Sequence, residues 1–330
     1  MKISIALASY NGAKYLQAQL DSFVSQTRHP DELIISDDGS SDATIQIIEQ
    51  FSKVAPFQVI WWRNERNLGY GGNFNAALMK TSGDLVFLSD QDDVWFPKKI
   101  ERIVALANAN PHAYLLMNDA ALTDGELHQV GLTSLGQIRS AAVSQSFFVL
   151  GCCVAVRRNL LDLCLPVPDG YPAHDNWLVE IADQLGRKLV IEEVLQYYRR
   201  HGDNASQWIL NRTKKVTRWH MRMELWRKGF KDLLQPRKTS VTSPSNSISP
   251  ELILFEWAVK ARSRTSDDLV LDLERLLKKM KVRIATINRR GEIRQLRLLR
   301  RIQAVIEFWR WGGYPEFSRL KSAIRDIFLP

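Results

Sequence analysis

Over the first ninety residues short apolar runs alternate with helical patterns, and this alternation restricts the chain to a small set of folds. Strands are expected at residues 3–8, 32–36, 57–62 and 84–88, with helices at 14–26, 41–52 and 72–81. Each helical stretch has to carry the chain back so that neighbouring strands run parallel, which implies a largely parallel, doubly wound sheet with right-handed crossovers. A further helix over 97–108 opens on Pro97, a residue tolerated in a first turn. Apolar runs at 114–117, 147–156 and 189–191 read as strands that complete a mixed sheet, and 122–139 reads as a hairpin or a loop facing the site.

Open α/β sheets bind ligands beyond the carboxyl ends of their strands, so the residues that follow each strand carry the functional signal. After the fourth run, Leu85 to Leu88, comes Ser89-Asp90-Gln91-Asp92-Asp93. Carboxylates packed this closely repel one another unless a cation sits among them. Hard oxygen ligands favour Mg²⁺ or Mn²⁺, held by one or two carboxylates together with substrate phosphates, so the segment reads as a metal-diphosphate site. A merely solvated acidic loop is the plain alternative, and the position at a strand end weighs against it.

Three other patches end strands in the same way. Ser9-Tyr10-Asn11 offers small and polar groups to a flat ligand such as a nucleobase. Ser36-Asp37-Asp38-Gly39-Ser40-Ser41-Asp42 offers carboxylates to a base N–H or to ribose hydroxyls; helix capping would explain its serines but not both acids. The stretch from Asn64 to Asn73, rich in Gly and Asn, opens a helix and presents backbone N–H groups to an anion, although no Walker Gly-Lys-Ser/Thr follows.

Composition adds a charge asymmetry. Residues 1–210 carry 17 Lys or Arg against 24 Asp or Glu, whereas 211–330 carry 28 against 12. The second part is a basic, all-helical extension with apolar stripes containing Trp219, Trp226, Trp257, Trp309 and Trp311, interrupted by a flexible Ser/Thr/Pro-rich stretch at 236–250. Its partner is either an anion, with an anionic membrane surface preferred over nucleic acid, or nothing more than solvent; its tryptophans serve that membrane, the core or the contacts of a homo-oligomer. Three cysteines without metal-ligand spacing indicate neither a disulfide framework nor a zinc site and fit a cytoplasmic location. No run reaches the roughly 20 apolar residues of a spanning helix, and the first apolar run is too short for a signal-peptide core.

Together, Ala8-Ser9-Tyr10-Asn11, Asp37-Asp38-Gly39-Ser40-Ser41-Asp42, Asn67-Leu68-Gly69 and Ser89-Asp90-Gln91-Asp92-Asp93-Val94-Trp95 resemble family-2 glycosyltransferases of the GT-A fold. His174-Asp175-Asn176-Trp177 and the segment from Tyr198 to Asn204 are similar to the bacterial rhamnosyltransferase-like branch, so the resemblance covers about residues 1–207. It implies a Rossmann-like GT-A domain over 1–210, with a mixed central sheet, and a helical extension over 211–330. It further implies an inverting, Mn²⁺- or Mg²⁺-dependent transferase that moves a sugar such as L-rhamnose from a dTDP- or UDP-linked donor. The acceptor would be a bacterial surface glycan or a lipid-linked precursor, reached from the inner face of the plasma membrane.

Carried over by position, the resemblance makes Asp38 a nucleobase contact and Asp90 part of an Asp-x-Asp element; strand-end chemistry adds Ser9, Tyr10, Asn11, Asn67 and Gly69 on the donor side, and Gly151 either lines the sugar pocket through close backbone approach or belongs to a buried strand. Asp92 is then the direct metal ligand, with Asp90 and His201 beside it, although a structural role for His201 is equally open. Asp175 is the catalytic base, and His174 and Trp177 lie on the acceptor side; His174 stands where an acid is usual. A nucleotidyltransferase acting on a sugar phosphate and a nucleic-acid-binding protein are the competing readings.

Overall fold

Burial along Ile3–Ser9 (β1), partial only at Ala8, and along every residue of Glu32–Asp37 (β2) and Leu85–Ser89 (β4) shows that both faces of these strands are covered, as a central parallel sheet requires. The fourth parallel strand, Gln58–Arg63 (β3), is half exposed because it forms the sheet edge. The computed structural model describes residues 1–168, 171, 173–202, 204, 206, 208–234, 250–265, 267–314 and 319–328. These fall into two compact units, Met1–Ser245 and Asn246–Pro330.

Three helices cover one face of the first unit's sheet: Leu16–Val24 (α1), Thr44–Val54 (α2) and Lys99–Ala109 (α4). Leu16, Leu20 and Phe23 of α1 and Ile100, Ile103 and Val104 of α4 pack with Ile3, Ile5, Leu7, Leu85 and Phe87. The helix Gly69–Lys80 (α3) packs against β1 and β2 and against His174–Gln184 (α7). Leu115–Thr123 (β6), Val154–Arg157 (β8) and Lys188–Arg199 (β9) extend the sheet, with a short Val94–Trp95 strand (β5) at its far edge. The order is β3-β2-β1-β4-β8-β6-β9-β5, and the β4–β8 and β8–β6 pairs are antiparallel, so the sheet is mixed as expected.

Three regions sharpen the sequence reading. Residues 122–139 form a hairpin followed by a helix: β6 turns into Gln129–Thr133 (β7), and Ser134–Ser140 (α5) follows. The apolar run 147–156 is a strand only from Val154; Gly151–Cys153 is a single 3-10 turn whose apolar side chains are buried without pairing. The basic helical texture begins at residue 211, yet the segment before Arg218–Leu234 (α8) is tied to the first unit. Gln137 of α5 donates to the Arg212 and Lys214 carbonyls and accepts from the Val216 N–H. Residues 236–249 of the stretch read as flexible lie outside the described residues.

The second unit consists of Pro250–Arg262 (α9), Asp267–Gln295 (α10), Leu298–Arg310 (α11) and Arg319–Phe328 (α12). Ile293, Val305, Tyr314 and Ala323 make a small core beside a buried carboxylate, Asp326, which accepts from Arg290, Arg294 and Tyr314. Among the described residues no helix is long and apolar enough to cross a membrane.

Candidate active site

Strand register brings the sequence-distant patches to one edge. Ser9 pairs with Asp37, Asp37 with Arg63, and Leu7 with Ser89, so the ends of all four parallel strands lie at nearly one level.

The two acids after β2 have separate roles. Asp37 is buried and its carboxylate is filled by four donors, the Gly39 and Ser40 N–H groups and the Ser9 and Ser40 hydroxyls. Asp38 reaches across to the start of α3, accepting from the Leu68 N–H at 2.7 Å, the Gly69 N–H at 2.9 Å and the Asn64 side-chain amide at 3.1 Å. Gly69 has φ +74°, a conformation that costs glycine little, and this lets the chain turn its N–H toward Asp38. Asp38 also lines a cleft of about 590 Å³ with Tyr10, Gly39, Arg63, Asn64 and Asn67. Asp38 therefore both holds this wall together and faces the cleft.

Of the residues expected around the donor, Tyr10 is exposed at the cleft, and Asn67 lines it while donating to the Asp38 carbonyl. Ser9 is buried with its hydroxyl on Asp37, where it supports the wall. Asn11, at φ +46°, accepts from the Ser41 N–H and so joins the loops after β1 and β2.

Beside this cleft the acids after β4 form a cluster. Burial first, then the charges of Asp92, Asp93 and Asp175, push the Asp90 carboxyl well above the ordinary carboxylate range. Among the described residues no donor reaches its side chain. Asp93 is fully buried and pushed up to about 7 by burial and by Asp92, although the Arg199 N–H and the Gln196 amide donate to it. Asp92 accepts from the His201 Nε2 at 2.8 Å and the Asn204 amide at 3.0 Å, and the His201 ring packs on Tyr15.

These residues fit a hard divalent cation. Asp90 is a carboxylate without a donor, crowded by like charge, and Asp92 with His201 supplies oxygen and nitrogen ligands of the type Mn²⁺ and Mg²⁺ take. Ligand atoms of Asp90, Asp93 and Cys152 lie within 4.8 Å of one another. Burial raises the Cys152 thiol strongly, so it stays protonated and is a poor partner for such an ion.

Asp175 sits in the first turn of α7, where the helix N-terminus favours a negative charge. It is partly exposed, and its charge acts on Asp90. Gly151 leaves room for it: a Cβ there would stand 3.3 Å from both the Asp175 Cβ and its Oδ2. The structure thus gathers Asp90, Asp92, Asp175, Gly151 and His201. It does not gather His174 and Trp177 as an acceptor face. Both are buried; His174 stacks on Phe74 at 4.0 Å and Trp177 donates to the Cys164 carbonyl. Burial holds His174 down at about 4, hence neutral.

Sequence reading missed two residues that join the halves. Gln91 grips the Tyr10 backbone through both side-chain atoms, accepting from its N–H at 2.9 Å and donating to its carbonyl at 3.0 Å. Lys99 is buried behind the acids, its ammonium 3.9 Å from the centre of the Trp95 ring and donating to the Cys152 carbonyl and to Gln196, which in turn donates to Asp93. Burial pulls the Lys99 ammonium down to about 8. Its sequence signal was a lysine within the apolar i, i+4, i+8 row Lys99, Ile103, Ala107.

Comparison with known proteins agrees with this geometry. Residues 4–162 match the family described as Glycosyl transferase family 2. An uncharacterized glycosyltransferase of Nostoc sp. is 31% identical over 217 residues, covering 62% of this chain and 66% of the relative. Escherichia coli UDP-Glc:alpha-D-GlcNAc-diphosphoundecaprenol beta-1,3-glucosyltransferase is 31% identical over 116 residues, 35% of this chain and 45% of the enzyme. The matched segments thus span less than two thirds of these relatives' own lengths. Among solved structures, Staphylococcus aureus TarS 1-349 bound to UDP-GlcNAc aligns with TM-score 0.53 at 20% identity, over 93% of this chain and 80% of that one. A mannosyltransferase from Pyrobaculum calidifontis, solved with GDP-Man and Mn²⁺, aligns with TM-score 0.50 at 14% identity over 99% and 87%. The mixed sheet is that of the GT-A fold, and residues 4–162 match the sequence pattern of family-2 glycosyltransferases.

Proposed function

We propose that this chain is an inverting, metal-dependent glycosyltransferase in which Asp175 takes the proton of an acceptor hydroxyl. The observation that carries this reading is the convergence, at one sheet edge, of the Asp38 cleft and the acidic cluster with a partly exposed Asp175 beside it. Asp38, Tyr10 and Asn67 would hold the nucleoside. Asp90, Asp92 and His201 would hold Mn²⁺ or Mg²⁺, which supplies charge neutralisation for a departing diphosphate. A hydroxyl is a weak nucleophile until a positioned carboxylate takes its proton, and attack from the face opposite the leaving group inverts the anomeric carbon.

The donor would be a dTDP- or UDP-linked hexose, with L-rhamnose suggested by the likeness around residues 174–177. The acceptor would be a growing bacterial surface polysaccharide such as lipopolysaccharide, or its lipid-linked precursor; the E. coli relative, named for a diphosphoundecaprenol acceptor, supports the second. Such an acceptor sits at a membrane and suggests a cytoplasmic enzyme that binds the inner leaflet peripherally. Incubation of a panel of nucleotide sugars with a lipid-linked saccharide acceptor and Mn²⁺ tests the reading. Release of free nucleoside diphosphate, with an inverted anomeric signal in the NMR spectrum of the product, is expected. Pyrophosphate released in a parallel incubation with nucleoside triphosphates and a sugar 1-phosphate would instead identify a nucleotidyltransferase.

A further inference from the structure

Helix α11 carries two apolar arcs, and the second is largely exposed, meeting the core only where the Trp309 ring lies against Tyr314. Ala304, Val305 and Phe308 face the small core of the second unit. Leu299, Ile306 and Trp309 recur at i, i+7 and i+10 on another side and are exposed, Leu299 at 83%; Trp311, just beyond the helix, is 89% exposed. A contiguous apolar stripe of this kind is uncommon on a surface without a partner. Basic residues flank it. Among the described residues no carboxylate pairs with Arg297, Arg300 or Arg310, all of them exposed.

We infer that this face of α11, together with Trp311, docks the chain on an anionic phospholipid bilayer. Charge complementarity selects that partner: residues 250–330 carry 18 Lys or Arg against 10 Asp or Glu, and an anionic leaflet attracts such a surface while its interface accepts Leu, Ile and Trp. Indole rings favour the headgroup level, where the polar N–H stays wet and the ring is buried. The inference takes its choice of partner from the peripheral attachment proposed above, and its structural support lies in the second unit alone.

Full-length protein is sedimented with sucrose-loaded vesicles of phosphatidylcholine alone or mixed with phosphatidylglycerol. Binding is expected to the mixed vesicles only and to weaken at high salt. The double substitution Leu299→Glu with Trp311→Glu should cut the bound fraction roughly tenfold or more while leaving the circular dichroism and nucleotide-sugar binding unchanged. Arg297→Gln with Arg300→Gln, which leaves the apolar face intact, should also reduce binding to the mixed vesicles. Equal binding to both vesicle types, or unaltered binding by the Glu variant, would overturn the inference. So would light scattering showing a wild-type dimer that the Glu variant converts to monomer, since the face would then join two copies. Nucleotide-sugar binding measured on the same samples separates these failures from failure of the transferase reading.

Discussion

The two halves of the site are built on opposite principles. Around Asp37 and Asp38 every acid is met by several donors, and the loops after β1, β2 and β3 are tied together before any ligand arrives. Around Asp90 like charges crowd together instead: Asp90 is partly exposed and no donor among the described residues reaches its side chain, and Asp93 is pushed up by burial and by Asp92 although the Arg199 N–H and Gln196 donate to it. A preformed wall suits recognition of a rigid base and ribose, because little order has to be imposed on binding. A pocket crowded with like charge suits a cation, which would relieve the repulsion and could then bridge to a diphosphate. Four substitutions break or sharpen this contrast.

The largest effect is expected at Asp175. Asp175→Asn should lower kcat by roughly 10²–10⁴-fold, the range for loss of a general base, with donor affinity nearly unchanged. Steady-state rates alongside donor titration check this, and substantial residual turnover would place the base elsewhere.

Asp90→Asn should act in opposite directions on the two sides of the contrast. Without metal it relieves repulsion, so the melting temperature should rise by roughly 2–4 °C, the shift for about 1 kcal/mol in a unit of this size. Added Mn²⁺ should then stabilise the variant less than the wild type. Asp38→Ala serves as the counterpart: it strips two backbone N–H groups of a charged acceptor and should lower stability by about 1–3 kcal/mol with or without metal.

Acidity gives a third contrast. Asp93 is pushed up to about 7 in the folded chain, above the roughly 3.9 of an unfolded aspartate. The folded state therefore binds the extra proton. In EDTA the contribution of Asp93 is fully present below about pH 4 and is lost as pH rises toward 7. Denaturant melts across that window should show the decline in EDTA and a smaller one with Mn²⁺.

The smallest effect belongs to the clamp between the halves. Gln91→Ala removes two hydrogen bonds to Tyr10 and should raise the donor KM by roughly two- to tenfold with little change in kcat.

Much of this site was legible before any coordinates. The four parallel strands and their helices follow from apolar runs that must be covered on both sides, and their ends hold Asp38, Asp90 and Asp92. Burial without pairing was not legible: Phe148 to Cys153 is as apolar as a strand, yet turns, and Gly151 lies beside Asp175. β9 was read as residues 189–191 only because Glu192 and Glu193 interrupt an apolar pattern in a strand that continues to Arg199. His174 beside Asp175 looked like part of the same functional pair, but successive helix positions point apart, and its ring lies against Phe74. Gln91 and Lys99 act through partners distant in sequence, Tyr10 and Gln196, and only tertiary structure shows those.

Calorimetric titration of the full chain with a UDP- or dTDP-linked hexose, in Mn²⁺ and in EDTA, tests the central claim most directly. Donor binding that requires Mn²⁺ and vanishes in Asp92→Ala is the predicted result. Binding of equal strength in EDTA, or intact Mn²⁺-dependent binding in that variant, would contradict it.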